Sequence, residues 1–273
     1  MTSINHIKVN SLLTKTQIPA GDYVINPYVG CPHKCLYCYA EFMKRFTNHE
    51  EAWGDFLDIK VCEKKINVER LQDKTVVIST VTDAYNPFEQ KFERTREILK
   101  QFVNTKARIE ILTKSDLVLR DQDLFAQIPN IKIGISLNTL DDGIRKILEP
   151  RASRIQSRIN AIKTLNNAGF DTYIFLSPMF PGISDFKAIL EECKTYTRKF
   201  YFENLNLRGA YLPRIMNYIR KYHPDLLSLY DDIYKFKNTE YWEIMEREIA
   251  NYCAGNNIAF GSYFYHEKIK KQR

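Results

Sequence analysis

Nowhere does the sequence hold an uncharged apolar run approaching the roughly 20 residues that a membrane-spanning helix needs, so no membrane partner is expected. The first residues, MTSINHIKVNSLLTK, lack the apolar core of a secretory signal, and a cytoplasmic location is expected. Six cysteines in 273 residues are too few for a disulfide scaffold. No stretch has linker composition or low complexity, and nothing repeats beyond a strand–helix unit. Apolar content of 44% and charged content of 27% are ordinary for a globular chain of one large or two small domains. A net charge of +7 permits an anionic partner such as nucleic acid without demanding one. The terminal HEKIKKQR is a short basic run expected to fray.

The cysteines that are present are not scattered. Cys31, Cys35 and Cys38 lie within CPHKCLYCYA, and no fourth follows nearby; Cys62, Cys193 and Cys253 are distant. In a reducing compartment such crowding points to a soft metal or an iron–sulfur cluster. Structural zinc closes with four ligands. His33 is a candidate fourth ligand, although its place between the first two cysteines does not match the paired zinc spacings. A four-iron cluster on three cysteines leaves one iron open to an exogenous ligand.

Six β-rich runs alternate with helical patterns: 23–30, 75–81, 108–114, 132–137, 171–177 and 199–205. They read as nearly continuous in apolar character, which suits parallel strands covered on both faces. Between them, helices are expected over 36–46, 89–103, 116–127, 141–148, 155–168 and 185–196. Thr139, three residues before Asp142, is an expected N-terminal cap, and Gly169 an expected helix stop. The informative residues cluster at strand C-terminal ends, which favours an α/β partial barrel over an open doubly wound sheet. Residues 50–68 interrupt the pattern as an insertion with a short β run. After residue 209 the chain becomes helical and tyrosine-rich, and 210–273 is read as an extension packed on a barrel formed by 1–209.

The spacing Cys31-x3-Cys35-x2-Cys38, with Tyr37 before the last cysteine, resembles the radical S-adenosylmethionine (SAM) superfamily. NPYVGCPHKCLYCYA, TDAYNPFEQKFERTR, ILTKSDLVLRD, KILEPRAS and SPMFPGISD resemble its spore photoproduct lyase-like branch. ENLNLRG extends that likeness to residue 209, and FMKRFTNHEEAWGDFLDIK is similar to the radical SAM mobile pair protein B family. The resemblance implies a partial (β/α)6 TIM-like barrel and an oxygen-sensitive 4Fe-4S cluster on Cys31, Cys35 and Cys38. It further implies reductive cleavage of SAM to a 5′-deoxyadenosyl radical that takes hydrogen from a substrate. A reductant such as flavodoxin or ferredoxin and a paired radical SAM protein, mobile pair protein A, are the implied partners.

The same resemblance assigns provisional roles. Thr82 and Asp83 match the position that accepts from the SAM amino group, although Asp83 also suits a turn or cap. Lys114 fits the SAM carboxylate, and Ser136 the ribose or carboxylate. Tyr37 and Tyr39 are candidate adenine walls, otherwise ordinary packing residues. Met179, in Pro178-Met179-Phe180-Pro181-Gly182, would close the pocket, in a stretch that also suits a rigid turn. Arg151, oriented by Glu149, would reach an anionic group. Glu203, Asn204, Asn206 and Arg208 at the end of the sixth strand suit substrate contact.

One departure stands out. Photoproduct lyases use a cysteine near the end of the second strand as a hydrogen donor, whereas this chain reads Ser79-Thr80-Val81-Thr82-Asp83. Cys62 is expected to be buried, and Tyr85 is the tyrosine best placed to act as a relay instead. The leading expectation is therefore a radical SAM enzyme on a macromolecular substrate, nucleic acid first. A peptide-modifying enzyme working with a paired radical SAM protein is the second reading. The reading of another class is a zinc- or cluster-bearing nucleic-acid-binding module without catalysis. The stretch YLPRIMNYIRKYH offers cations and aromatics for nucleic acid, but reads better as an amphipathic helix with Ile, Met and Tyr buried.

Overall fold

Along the third and sixth of the expected strands the burial alternates: Ile109, Ile111, Phe200 and Phe202 are buried while Glu110, Leu112, Tyr201 and Glu203 are half-exposed. The buried set packs with Ile133, Ile135, Ile174 and Leu176 against helix residues Leu99, Ile159, Ile162, Phe186 and Leu190 in one core. Only this face lies under helices; the other lines an open interior. On these two strands that departs from the expectation of burial on both faces, whereas residues 76–78 and 133–136 are buried throughout, as near-continuous apolar runs expect. In an open barrel the inner surface remains partly solvated, so period-2 alternation returns.

The computed structural model describes residues 2–265, and the run HEKIKKQR lies outside them. Eleven strands occur among these residues: β1 (Ser3–Lys8), β2 (Leu13–Lys15), β3 (Tyr23–Ile25), β4 (Tyr28–Val29), β5 (Phe56–Val61), β6 (Thr75–Ile78), β7 (Arg108–Thr113), β8 (Ile131–Ser136), β9 (Asp171–Met179), β10 (Lys199–Asn204) and β11 (Ala259–Ser262). The main sheet runs β11-β10-β9-β8-β7-β6-β3-β2, and every neighbouring pair is parallel except β2–β3. The six expected strands are β3 and β6–β10, side by side in chain order. The two end strands do not pair, so the barrel is open.

The insertion does more than interrupt. Its strand β5 pairs in parallel with β1 and antiparallel with β4, forming a separate three-stranded sheet. The C-terminal segment supplies helices Tyr211–Tyr222 and Glu240–Gly255, and also β11, which extends the main sheet beside β10. On helix Tyr211–Tyr222 the residues Tyr211, Ile215, Tyr218 and Ile219 are buried, as the amphipathic reading expects. They pack against Tyr37, Phe180 and Leu205.

Local signals place the helix ends. The cap of helix Asp142–Leu148 is Asp141, not Thr139: its carboxylate accepts from the Gly143 and Ile144 amides at 2.6 and 3.1 Å. Thr139 instead braces the Asp141 amide. Helix Ile155–Asn167 stops as expected at Gly169, which has φ +85. The inner face is closed toward the strand N-termini by Lys132, whose ammonium lies 4.5 Å from the ring centres of Tyr173 and Tyr201. The Tyr173 hydroxyl donates to Glu110 at 2.8 Å. The site must therefore open at the C-terminal ends.

Candidate functional site

The cysteine loop begins at Gly30, with φ +87; a Cβ there would stand 2.4 Å from the Phe56 carbonyl oxygen. Only glycine lets β5 come this close. The loop is fastened at several points. The Leu36 amide donates to Leu148 O at 2.8 Å, and Lys34 Nζ pairs with Asp55 at 2.6 Å. Thr82 Oγ1 donates to Gly30 O at 2.7 Å. Asn26 Oδ1 accepts from the amides of Thr80 and Val81 at 2.8 and 3.2 Å, tying the turn after β6 to the loop.

None of the three cysteines is in a disulfide, and their surroundings mix apolar side chains with the charged Asp83, Glu149 and Lys114. Burial, then Cys38 and Asp83, push the Cys31 thiol up to about 12. Burial, then Glu149, raises Cys35 well above its ordinary value. Burial also raises Cys38, against a hydrogen bond from Trp53 Nε1 at 3.2 Å. Thiolates here need a positive partner, and iron supplies one. Among the described residues no group of three or more His, Cys, Asp and Glu side chains is gathered as the ligands of a single metal ion would be. A donor set of three thiols in one loop fits the corners of a cluster with one iron left open. His33 is 2% exposed, and its Nδ1 lies 3.4 Å from Asp83 Oδ2 without the alignment of a hydrogen bond.

Beside Cys35 stands a buried polar set. Glu149 and Arg158 are both fully buried and pair at 2.5 Å. The other Glu149 oxygen accepts from the Tyr37 hydroxyl. Arg158 also donates to Ser136 O at 3.1 Å and to Ser153 O at 2.9 Å. Lys114 Nζ has no hydrogen-bond partner among the described residues and lies 5.9 Å from the Tyr37 ring centre. Burial works against its charge, but Glu149, then Cys35 and Asp83, outweigh it and hold its pKa above the ordinary value. An ammonium held charged near Cys35 and Cys38, with donors unspent, suits a carboxylate ligand. Asn138, 2% exposed, donates to the Tyr37 hydroxyl at 3.4 Å, and its Oδ1 has no partner among the described residues.

Several expected residues lie elsewhere or have their groups engaged. Asp83 Oδ1 accepts from Thr113 Oγ1 at 2.6 Å and the Tyr85 amide at 2.9 Å; Oδ2 accepts from the Lys114 amide at 2.9 Å. That is the turn role, stitching the end of β6 to the end of β7. Ser136 Oγ donates to Ser177 O at 3.3 Å. Met179 is buried in the main core and Asn204 Oδ1 accepts from the Tyr265 amide at 3.0 Å. Arg151 is not oriented by Glu149, which Arg158 occupies; its guanidinium reaches Thr2 Oγ1 at 3.2 Å, and Asp55 lies 4.0 Å away. Arg151 lines a cavity of about 390 Å³ with His33, Ser115 and Ser153.

Tyr85 is the larger correction. It is fully buried and donates to Asp121 at 3.0 Å, within a network of Arg96, Arg120 and Glu89. A hydroxyl spent there is a core element, not a group at the barrel mouth. Tyr39, in contrast, is 52% exposed and donates to Thr80 O. Glu203 accepts from Ser177 Oγ, on the inner face, and Arg208 is exposed. Cys62 is half-buried against the main core, with its thiol 3.5 Å from Lys64 O.

Arg158 and Trp53 escaped the sequence reading. Arg158 had a signal: it lies on the stripe Ile155, Ile159, Ile162 of its helix, where a cation needs a buried partner. Trp53 had none, since only the folding of the insertion onto the loop brings it to Cys38.

The family model described as the Radical SAM superfamily matches residues 25–193. A protein of Methanocaldococcus jannaschii is 36% identical over 231 residues, spanning 85% of this chain and 88% of the relative. A Mycobacterium tuberculosis protein is 25% identical over 259 residues, 87% of this chain and 75% of its own. Among solved structures, a spore photoproduct lyase variant superposes with a TM-score of 0.58 at 15% identity, over 81% of this chain and 67% of that one. Streptococcus suis SuiB bound to S-adenosylmethionine gives 0.56 at 15% identity, over 96% and 50%. No helix among the described residues is long and apolar enough to cross a membrane.

Proposed function

The chain belongs to the radical SAM superfamily, and from that premise we propose that this enzyme takes hydrogen from a nucleic-acid substrate. The family's cofactors are a 4Fe-4S cluster and SAM. The donor set fits them: Cys31, Cys35 and Cys38 would hold the cluster, and Lys114 would receive the SAM carboxylate. When bound, the reduced cluster supplies the electron that cleaves the SAM sulfonium to give the 5′-deoxyadenosyl radical. This chain's residues bind, orient and exclude water. Tyr37 and Phe180, edge to face at 5.5 Å, wall the loop. Trp53 and Phe56 cover it from the insertion, and the Glu149–Arg158 pair fixes Tyr37.

The observation that carries the substrate class is the open mouth: half-exposed inner-face residues, with Arg208 exposed just beyond the end of β10 and Tyr39 standing exposed. A net charge of +7 supports an anionic polymer. A spore photoproduct lyase structure complexed with dinucleoside spore photoproduct has the same fold, which also favours this reading. The turn after β6 lacks the donor cysteine, so reversal by a cysteine at that position is not part of the proposal. The test is reductive SAM cleavage by anaerobically reconstituted enzyme with and without DNA or RNA. Nucleic acid should raise 5′-deoxyadenosine formation, with deuterium passing from labelled nucleotides into it. No response across sequences and lesions would sink the nucleic-acid reading.

Lys114→Ala should leave iron per chain unchanged and weaken SAM binding roughly 10- to 100-fold, the worth of one charge-assisted hydrogen bond. Equilibrium binding checks this, and an unaltered affinity would remove Lys114 from the site.

A further inference from the structure

We propose that the short helix Tyr39–Phe46 is a stacking platform for an unpaired nucleic-acid strand leading to the barrel mouth; this rests on the nucleic-acid reading above. The helix has 3₁₀ form with three residues per turn, so Tyr39, Phe42 and Arg45 fall in one column, with Phe46 beside its end. The rings of Tyr39, Phe42 and Phe46 belong to residues 52%, 45% and 66% exposed. Single exposed apolar residues are ordinary, but three aromatic rings within eight residues of chain form a patch.

The helix's other side already accounts for its folding. Ala40 and Met43 pack with Trp53, Phe56 and Val81. Glu41 is tied to Arg214 at 2.5 Å, which fastens the helix to Tyr211–Tyr222. The outward rings are therefore held in place and add little to the fold. The Arg45 guanidinium lies over both phenylalanines, 5.5 Å from the Phe42 ring centre and 4.6 Å from that of Phe46. Flat rings interleaved with a cation match the faces of bases and their phosphates. The one acid on the helix, Glu41, is paired with Arg214, which leaves Lys44 and Arg45 without a carboxylate partner among the described residues, while Glu203 acts only at the Tyr39 end. The column starts at Tyr39, whose hydroxyl bonds to Thr80 O in the turn after β6. A strand laid along it is guided to the mouth.

The reconstituted holoenzyme, kept anaerobic, is titrated at fixed salt with a fluorescent single-stranded oligonucleotide. Replacing Phe42 and Phe46 together by alanine should raise the Kd roughly ten-fold or more, while tryptophan at both positions should keep wild-type affinity. Iron per chain equal to wild type shows that the variants fold. Undiminished binding by the double alanine variant overturns the platform alone. A wild-type protein that binds no oligonucleotide overturns both the platform and the substrate class. If the double variant keeps its oligonucleotide affinity but loses only flavodoxin-driven SAM cleavage, with dithionite-driven cleavage intact, the face belongs to an electron donor and the proposal falls.

Discussion

Cys35→Ala will reduce iron from about four per chain to background and abolish reductive SAM cleavage with it. On the proposed assignment the three cysteines would hold three corners of the cluster, and two thiolates would not keep it against exchange. The loss should be chemical rather than structural. The loop is fastened by the Leu36 amide to Leu148 O, by Lys34 to Asp55 and by Thr82 to Gly30 O, and none of these contacts involves the Cys35 sulfur. Iron analysis, the cluster's visible absorption and 5′-deoxyadenosine formation should fall together while the circular dichroism of the chain is retained. Cys62→Ala is the comparison. Its thiol lies against the main core near Lys64 O, so iron should be unchanged. Cys35→Ala protein with full iron and retained cleavage would contradict the ligand assignment.

Arg158→Met will be the most destabilising single change near the site. Arg158 and Glu149 are both fully buried, and removing one leaves a buried charge, which costs about 3–5 kcal/mol. For a chain of this size that lowers the thermal midpoint by about 10 °C. The cost is softened because Tyr37 and Lys114 still face Glu149. It is aggravated because Ser136 O and Ser153 O lose their donor. Replacing both partners, Arg158→Met with Glu149→Leu, should recover much of the midpoint, since an apolar pair of similar volume replaces the ion pair. The double variant should bind SAM poorly, because Tyr37 loses the carboxylate that fixes its hydroxyl and Lys114 loses the charge that favours its ammonium. A single variant that melts with wild type would show that the pair contributes nothing to the fold.

Much of the architecture was legible because it is written locally. Apolar periodicity and turn residues mark β3 and β6–β10 and the helices between them, and those signals survive folding. What periodicity did not reveal is the environment on each side of a strand. Glu110, Lys132 and Tyr201 face a half-open interior, whereas a barrel sealed inside would have demanded aliphatic residues there. Strands β1 and β11 were missed for a related reason: each is defined by a distant partner, β5 and β10 respectively.

The sequence alone determined that three thiols share one short loop. Three thiols at spacings of four and three residues are bound to meet in one loop, because covalent connectivity keeps them together whatever the rest of the chain does. Tertiary structure alone decided their surroundings. Tyr37 meets Glu149 across 112 residues of chain, and Trp53 reaches Cys38 only because the insertion folds back over the loop. The same long-range packing put Tyr85 into an ion-pair network in the core and left Phe42 and Phe46 in solvent. Local patterns record backbone conformation; which side chains become neighbours is set by how the elements pack, and that is not a local property.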